Sequence, residues 1–235
     1  GGPGGWDSLP LGNRVKQGAL REPTITAAGK HVIIIGGGDT GADCLGTAHR
    51  QGAASVHQFE IMPRPPELRD ESTPWPTWPL VFRTSSAHEE GGERLFSVNT
   101  TELVDDGTGA VSALRGHEVQ MVVTDGRPSF EPVPGSDFEL PCELVLLAMG
   151  FTGAEREGLV AQLGAEIDGR GNVVRDDSWM STVDGVFVCG DMGRGQSLIV
   201  WAIAEGRSAA AAVDEWLMGE TLLPAPVAPT QAPMR

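Results

Sequence analysis

Between a β-branched run and a helix-compatible stretch the chain carries Gly36-Gly37-Gly38-Asp39-Thr40-Gly41, and this glycine spacing constrains the fold more than any other feature. The preceding residues, His31-Val-Ile-Ile-Ile, show no apolar/polar alternation, as expected of a strand covered on both faces of a parallel sheet. Ala42 to Gln51 then reads as a helix stopped by Gly52, and Val56 to Met62 as a second apolar strand, which together make one βαβ unit. In that context each glycine of a GxGxxG has a task. The first permits a tight turn, the second lets the backbone approach a pyrophosphate, and the third lets helix pack on strand. The free N–H groups and the dipole at the helix N-terminus then hold the diphosphate.

Which dinucleotide is held depends on the end of the second strand. Glu60, 19 residues after Gly41, stands about where a carboxylate would take the ribose 2′-OH of NAD, whereas Arg64 and Arg69 follow within reach of the 2′-phosphate of NADP. The two signals conflict, and a charge-assisted bond from Arg to phosphate contributes roughly 1.5 to 3 kcal/mol, about ten- to a hundredfold in affinity. The residues alone favour NADP slightly.

Charge narrows the partners. Lys plus Arg number 17 against 32 Asp plus Glu, a net charge of -15, which has the wrong sign for phosphate backbones or anionic lipid, so no nucleic acid and no membrane are expected. The longest apolar runs, Leu144 to Met149 and Leu198 to Ala204, fall far short of the roughly 20 residues that span a bilayer. A cytoplasmic protein is expected. Cys44, Cys142 and Cys189 lie too far apart for a CxxC pair, read as small buried apolar residues, and leave no metal site.

Along the chain, residues 1–29 are rich in Gly and Pro and read as a linker or a remnant of another domain. Six prolines between Pro63 and Pro79 exclude regular structure there. Arg94–Val98, Thr101–Val104 and Val111–Val123 read as an antiparallel meander. Cys142–Met149 and Gly185–Cys189 read as buried strands, Ala154–Leu163 as a short helix, and Gln196–Met218 as a long amphipathic one. The Pro-rich tail, 223–235, reads as disordered. Trp75, Trp78 and Trp201 are taken as packing residues.

A second site is indicated where Val186-Phe187-Val188-Cys189 runs into Gly190-Asp191 ahead of the long helix. A carboxylate at a strand end suits a polyol, and the positive end of a helix suits a ring that becomes anionic, a combination that points to a flavin. Asp191 would accept from the ribityl hydroxyls, and the backbone N–H groups of Ser197, Leu198 and Ile199 would face the isoalloxazine.

Six stretches together resemble the small subunit of NADPH-dependent glutamate synthase: VIIIGGGDTGADC (32–44), EIMPRPP (60–66), SSAHEEGG (85–92), SVNT (97–100), LVLLAMGFTG (144–153) and GDMGRGQSLIVWAIAEGR (190–207). Roughly four fifths of the chain is covered. The resemblance implies a two-nucleotide-domain flavoprotein reductase that takes hydride from NADPH onto FAD and passes electrons to a large subunit, where 2-oxoglutarate and glutamine yield glutamate. It implies a Rossmann-like NADPH domain with a meander (30–149) followed by the C-terminal part of an FAD domain (150–222). Gly36, Gly37, Gly38, Asp39, Thr40 and Gly41 would cradle NADPH, Arg64 would take its 2′-phosphate, and Gly190 and Asp191 with the following helix would hold FAD. The family's cysteine-rich N-terminal region and first glycine fingerprint do not stand before His31, so the chain is read as the C-terminal portion of such a subunit. No acid–base residue is required, because the cofactors carry the chemistry. His88 and Glu89 are weighed as neighbours of the nicotinamide. A non-catalytic NADP-binding fragment is the alternative, and a dithiol reductase is disfavoured for want of a CxxC.

Overall fold

The computed structural model describes residues 5–75, 77, 79–124 and 127–231, so Trp78 lies outside it. The chain divides into two compact units, Gly1–Gly150 and Phe151–Arg235.

In the first unit β1 (His31–Ile35), β2 (Ser55–Glu60), β3 (Glu93–Phe96) and β8 (Leu144–Leu147) form one parallel sheet in the order β3-β2-β1-β8. The β-branched run of β1 lacks alternation because both its faces are buried. Val32 and Ile34 pack toward Cys44, Leu45 and Ala48 of helix α2 (Asp39–Arg50), while Ile33 and Ile35 pack toward Phe59, Val98 and Leu114. Each fully buried aliphatic side chain contributes about 1.5–3 kcal/mol. The opposite layer is an antiparallel sheet of β4 (Val98–Asp105), β5 (Val111–Thr124), β6 (Arg127–Pro132) and β7 (Phe138–Pro141), in which the 14-residue β5 pairs with the other three. A short helix, α3 (Ser86–Glu89), precedes β3. This is the expected Rossmann-like unit with a meander.

Two expectations change here. The stretch at Arg94 belongs to the parallel sheet, where β3 pairs with β2 as an edge strand rather than opening the antiparallel meander. Residues 5–16, read as linker, form helix α1 (Gly5–Lys16). It forms because tertiary packing outweighs its Pro10: Ser8 is buried, Leu9 joins the core, and a Cβ at Gly5 would stand 2.7 Å from the Cys44 sulfur.

The second unit contains α4 (Leu159–Leu163), α5 (Asp191–Arg194) and α6 (Ile199–Met218), packed around Val160, Val173 and Val188. Gly185–Cys189 is not a strand; the described residues of this unit make only the isolated bridges Ile167–Val173, Arg175–Ser181 and Met180–Phe187. Cys189 is exposed, whereas Cys44 and Cys142 are buried as expected, and burial pushes both of those thiols up to about 11. Trp75 is 84% exposed and packs on nothing extensive. Residues 223–231 are held in place, with Val227 N–H donating to Ser208 Oγ at 3.1 Å.

The second unit is organised by one buried carboxylate. Glu205 of α6 accepts two bonds from Arg175, at 2.8 and 3.0 Å, one from Arg194 at 2.5 Å and one from Gly190 N–H at 2.7 Å. Burial pushes its carboxyl up, but these donors outweigh that and hold it below the ordinary value. Arg175 and Arg194 stack over Trp179 and Trp201 and donate to the carbonyls of Pro229 and Gln231, which ties down residues 229–231. Removing one partner from such a cluster strands buried charge. Glu205→Ala is expected to cost about 3–5 kcal/mol in denaturant unfolding followed by tryptophan fluorescence, and a change below about 0.5 kcal/mol would contradict the assignment.

Candidate dinucleotide-binding site

The turn from β1 into α2 is shaped by atoms that leave no room for side chains. Gly36 adopts φ +129°, and a Cβ there would stand 2.2 Å from the Ala148 carbonyl oxygen; at Gly41 a Cβ would stand 2.1 Å from the Gly36 carbonyl oxygen. At Gly37 it would meet the Glu60 carboxylate at 2.2 Å. Gly38 differs, because its Cβ direction is open with no atom within 4 Å. It caps α2 without any side-chain hydrogen bond, so the first-turn amides of Asp39, Thr40 and Gly41 have no capping side chain. A helix N-terminus with open space before it is what a diphosphate requires.

Two residues on β2 hold this turn. Gln58 and Glu60 lie two apart and so share the helix-facing side of the strand with Val56. Buried Gln58 donates from Nε2 to the Gly36 carbonyl at 2.9 Å. Glu60 accepts from Gly37 N–H at 2.9 Å and from Met62 N–H at 3.0 Å. The carboxylate that spacing placed beside a ribose is thus engaged by the glycine turn itself.

The chain of bonds continues into α3. Ser85 N–H donates to His88 Nδ1 at 3.1 Å, which leaves Nε2–H to donate to Gln58 Oε1 at 3.0 Å. His88 therefore acts as a neutral spacer behind the turn, and burial together with the Arg94 charge lowers its pKa. Gln58 carries no motif, but its place two residues before Glu60, on the same face of β2 as Val56, is the signal that could have found it.

Cavities lie on both sides of Gly36–Gly38. One, of about 680 Å³, reaches from Gly37, Gly38 and Asp39 to Arg64, Phe82, Arg83, His88 and Arg94. Arg64 and Arg94 both sit over the Phe82 ring, 4.3 and 4.6 Å from its centroid. Arg64 also pairs with Glu67 at 2.6 Å. Burial and the Arg64 charge lower the Arg94 pKa, the mark of concentrated positive charge. Arg69 is not brought to this cavity; it donates to the carbonyls of Thr73 and Thr77 and stitches the proline-rich loop. The other cavity, also about 680 Å³, is lined by the same glycines, the ends of β1, β2 and β8, and the start of β4. A further cavity of about 510 Å³ lies between α1 and the later turns of α2, away from the strand ends.

In the second unit, Asp191 Oδ1 accepts from Ser197 N–H at 3.1 Å, and Ser197, Leu198 and Ile199 are exposed at the start of α6. Gly190 turns with φ +67°. Asp191, Met192 and Gly195 border a hollow of about 250 Å³ with Phe151.

Residues 96–206 match the family described as pyridine nucleotide-disulphide oxidoreductase. Over 97% of its length the chain is 66% identical to the glutamate synthase [NADPH] small chain of Mycobacterium tuberculosis, covering 46% of that protein. This chain is homologous to glutamate synthase small chains. The small chain of Bacillus subtilis is 42% identical over 85% of this chain and 42% of its own. The chain thus spans about half the length of the curated small chains it matches. Among solved structures, a thioredoxin reductase from T. acidophilum superposes with a TM-score of 0.57 at 19% identity, over 93% of this chain and 62% of that one, a likeness of fold alone.

Two outcomes test the site's construction. Gly36→Ala is expected to destabilise by about 2 kcal/mol or more, while Gly38→Val changes stability by at most about 1 kcal/mol; equal losses in urea unfolding would contradict the steric account. The neutral His88 binds fewer protons folded than unfolded, so its contribution is present above the ordinary value of about 6.5 and is lost as pH falls through the lowered folded-state value. The stability gap between wild type and His88→Ala should therefore narrow between pH 7.5 and 5; a constant gap would show that His88 does not titrate there.

Proposed function

We propose that this chain binds NADPH at the glycine turn and serves, as part of a glutamate synthase small chain, in moving hydride from NADPH to FAD, with electrons passing on to a large subunit for glutamate formation. The observation that carries the reading is the open Gly38 direction at the N-terminus of α2, beside a cavity that gathers Arg64, Arg83 and Arg94. When bound, the nicotinamide supplies the electron pair and the flavin accepts it. The chain's residues do the positioning. Amides of Asp39, Thr40 and Gly41 would hold the diphosphate, and Glu60 and Gln58 keep the turn in shape for it.

The 2′-phosphate falls to Arg64, whose guanidinium lines the cavity, with Arg94 beside it; Arg69 does not line that space. Glu60 is engaged by Gly37 and Met62 and so is less available to a ribose diol, which supports NADPH over NADH. For FAD the supporting features are the exposed start of α6, the hollow beside Asp191, and the Glu205 bond that fixes Gly190. No described helix is long and apolar enough to cross a membrane, and with its excess of carboxylates we read the chemistry as cytoplasmic.

One observation favours a second reading, a dinucleotide-binding fragment without flavin: the described residues of the second unit form no β-ladder, only isolated bridges. Calorimetry and absorbance of the purified chain separate the two. NADPH is expected to bind, Gly38→Val to abolish binding, and Arg64→Ala to shrink the NADPH over NADH preference about tenfold or more. Flavin absorbance bleached by NADPH supports the reductase, a colourless chain that binds NADPH supports the fragment, and a chain that binds neither nucleotide overturns both.

A further inference from the structure

Arg64 stands in Met62-Pro63-Arg64-Pro65-Pro66, where a proline on each side narrows its backbone toward extended conformations. The loop that follows returns to its own start. Phe82 N–H donates to the Pro66 carbonyl at 2.7 Å and Asp70 N–H to that of Leu80 at 3.0 Å, which brings the Phe82 ring centroid to 4.3 Å from the Arg64 guanidinium carbon. From β3, the Arg94 guanidinium carbon reaches the same ring at 4.6 Å, and the Phe96 ring meets it edge-on at 5.9 Å. One half-buried ring thus gathers two cations at the cavity wall.

Like charges around one ring repel each other, and the electron-rich faces of the ring offset part of that repulsion. Among the described residues Arg94 pairs with no carboxylate and donates instead to the Arg83 carbonyl at 2.9 Å, while Arg64 has only the exposed Glu67, a surface pair of little strength. Of the carboxylates lining the cavity, Asp39 opens α2 and Glu60 is bonded to Gly37 and Met62. The two guanidiniums are short of negative charge. We propose that Phe82 is a specificity-determining positioning residue, holding Arg64 and Arg94 around one ring so that both act on a phosphomonoester dianion, the 2′-phosphate that distinguishes NADPH from NADH. Assembly in advance matters because two long, mutually repelling side chains would otherwise have to be ordered as the nucleotide binds. The assignment rests on the NADPH reading above, and places the cofactor preference on an aromatic ring and an arginine pair rather than on Arg64 alone.

The test is calorimetry with NADP⁺ and with NAD⁺, which lacks the 2′-phosphate, on wild type, Phe82→Leu and Phe82→Tyr of matched stability in urea. Phe82→Leu, which keeps apolar bulk and loses the ring, should weaken NADP⁺ by about five- to tenfold and leave NAD⁺ within about twofold, and Phe82→Tyr should keep both within about twofold of wild type. A second readout follows the 2′-phosphate itself by its ³¹P resonance against pH. Bound to wild type it should stay dianionic below the value of about 6 usual for a phosphomonoester, and in Phe82→Leu its titration should move back up. Equal loss of both nucleotides, loss of neither, a tyrosine variant no better than the leucine one, or a phosphate titration that Phe82→Leu leaves unmoved overturns the assignment while the NADPH reading stands. A wild-type chain that binds NADP⁺ no more tightly than NAD⁺ overturns the NADPH reading itself, and this assignment with it.

Discussion

A Cβ at Gly41 would stand 2.1 Å from the carbonyl oxygen of Gly36, and one at Gly36 would stand 2.2 Å from that of Ala148. These two close approaches bring the end of β1, the start of α2 and the end of β8 to one point, and everything proposed for the first unit follows from that convergence. Because β1 pairs in parallel with both β2 and β8, its end opens between them, and the N-terminus of α2 is presented there. Gln58 and Glu60 then hold the turn from one side by bonding its carbonyl and its amide in turn. Buried Gln58 and half-buried Glu60 supply hydrogen bonds that a regular element would have given the glycines.

Much of this was legible in the amino-acid sequence. An unalternating His31–Ile35 run demands cover on both faces, and the structure provides helices on one and the meander on the other. The spacing of Gly36, Gly38 and Gly41 locates the turn because the positive φ at Gly36 and the close approach of Gly41 to the Gly36 carbonyl belong to the turn itself. What depends on long-range partners was not legible. β3 reads equally well as parallel or antiparallel from its own four residues, and only its pairing with β2 decides. α1 has a poor helical sequence that tertiary contact rescues, while Gly185–Cys189 has strand-like residues but finds no ladder partner among the described residues.

The site shows the same division. Sequence distance puts Glu60, Arg64 and Arg69 in one short stretch, yet they end in three places: bonded to the glycine turn, lining the cavity and stitching the proline-rich loop. Spacing along a chain does not specify which way a side chain turns. Glu205 carries no motif in α6, though it ties Gly190, Arg175 and Arg194 into one cluster. Such a cluster fixes the backbone just before Asp191.

The central claim is that the uncapped amides at the start of α2 receive a diphosphate. Backbone amide shifts recorded while NADP⁺ is titrated into the isotope-labelled chain test it most directly. The account predicts that the largest changes fall on Gly38, Asp39, Thr40 and Gly41 and saturate together. Amides there that stay unmoved, while those lining the cavity between α1 and α2 respond, would contradict it.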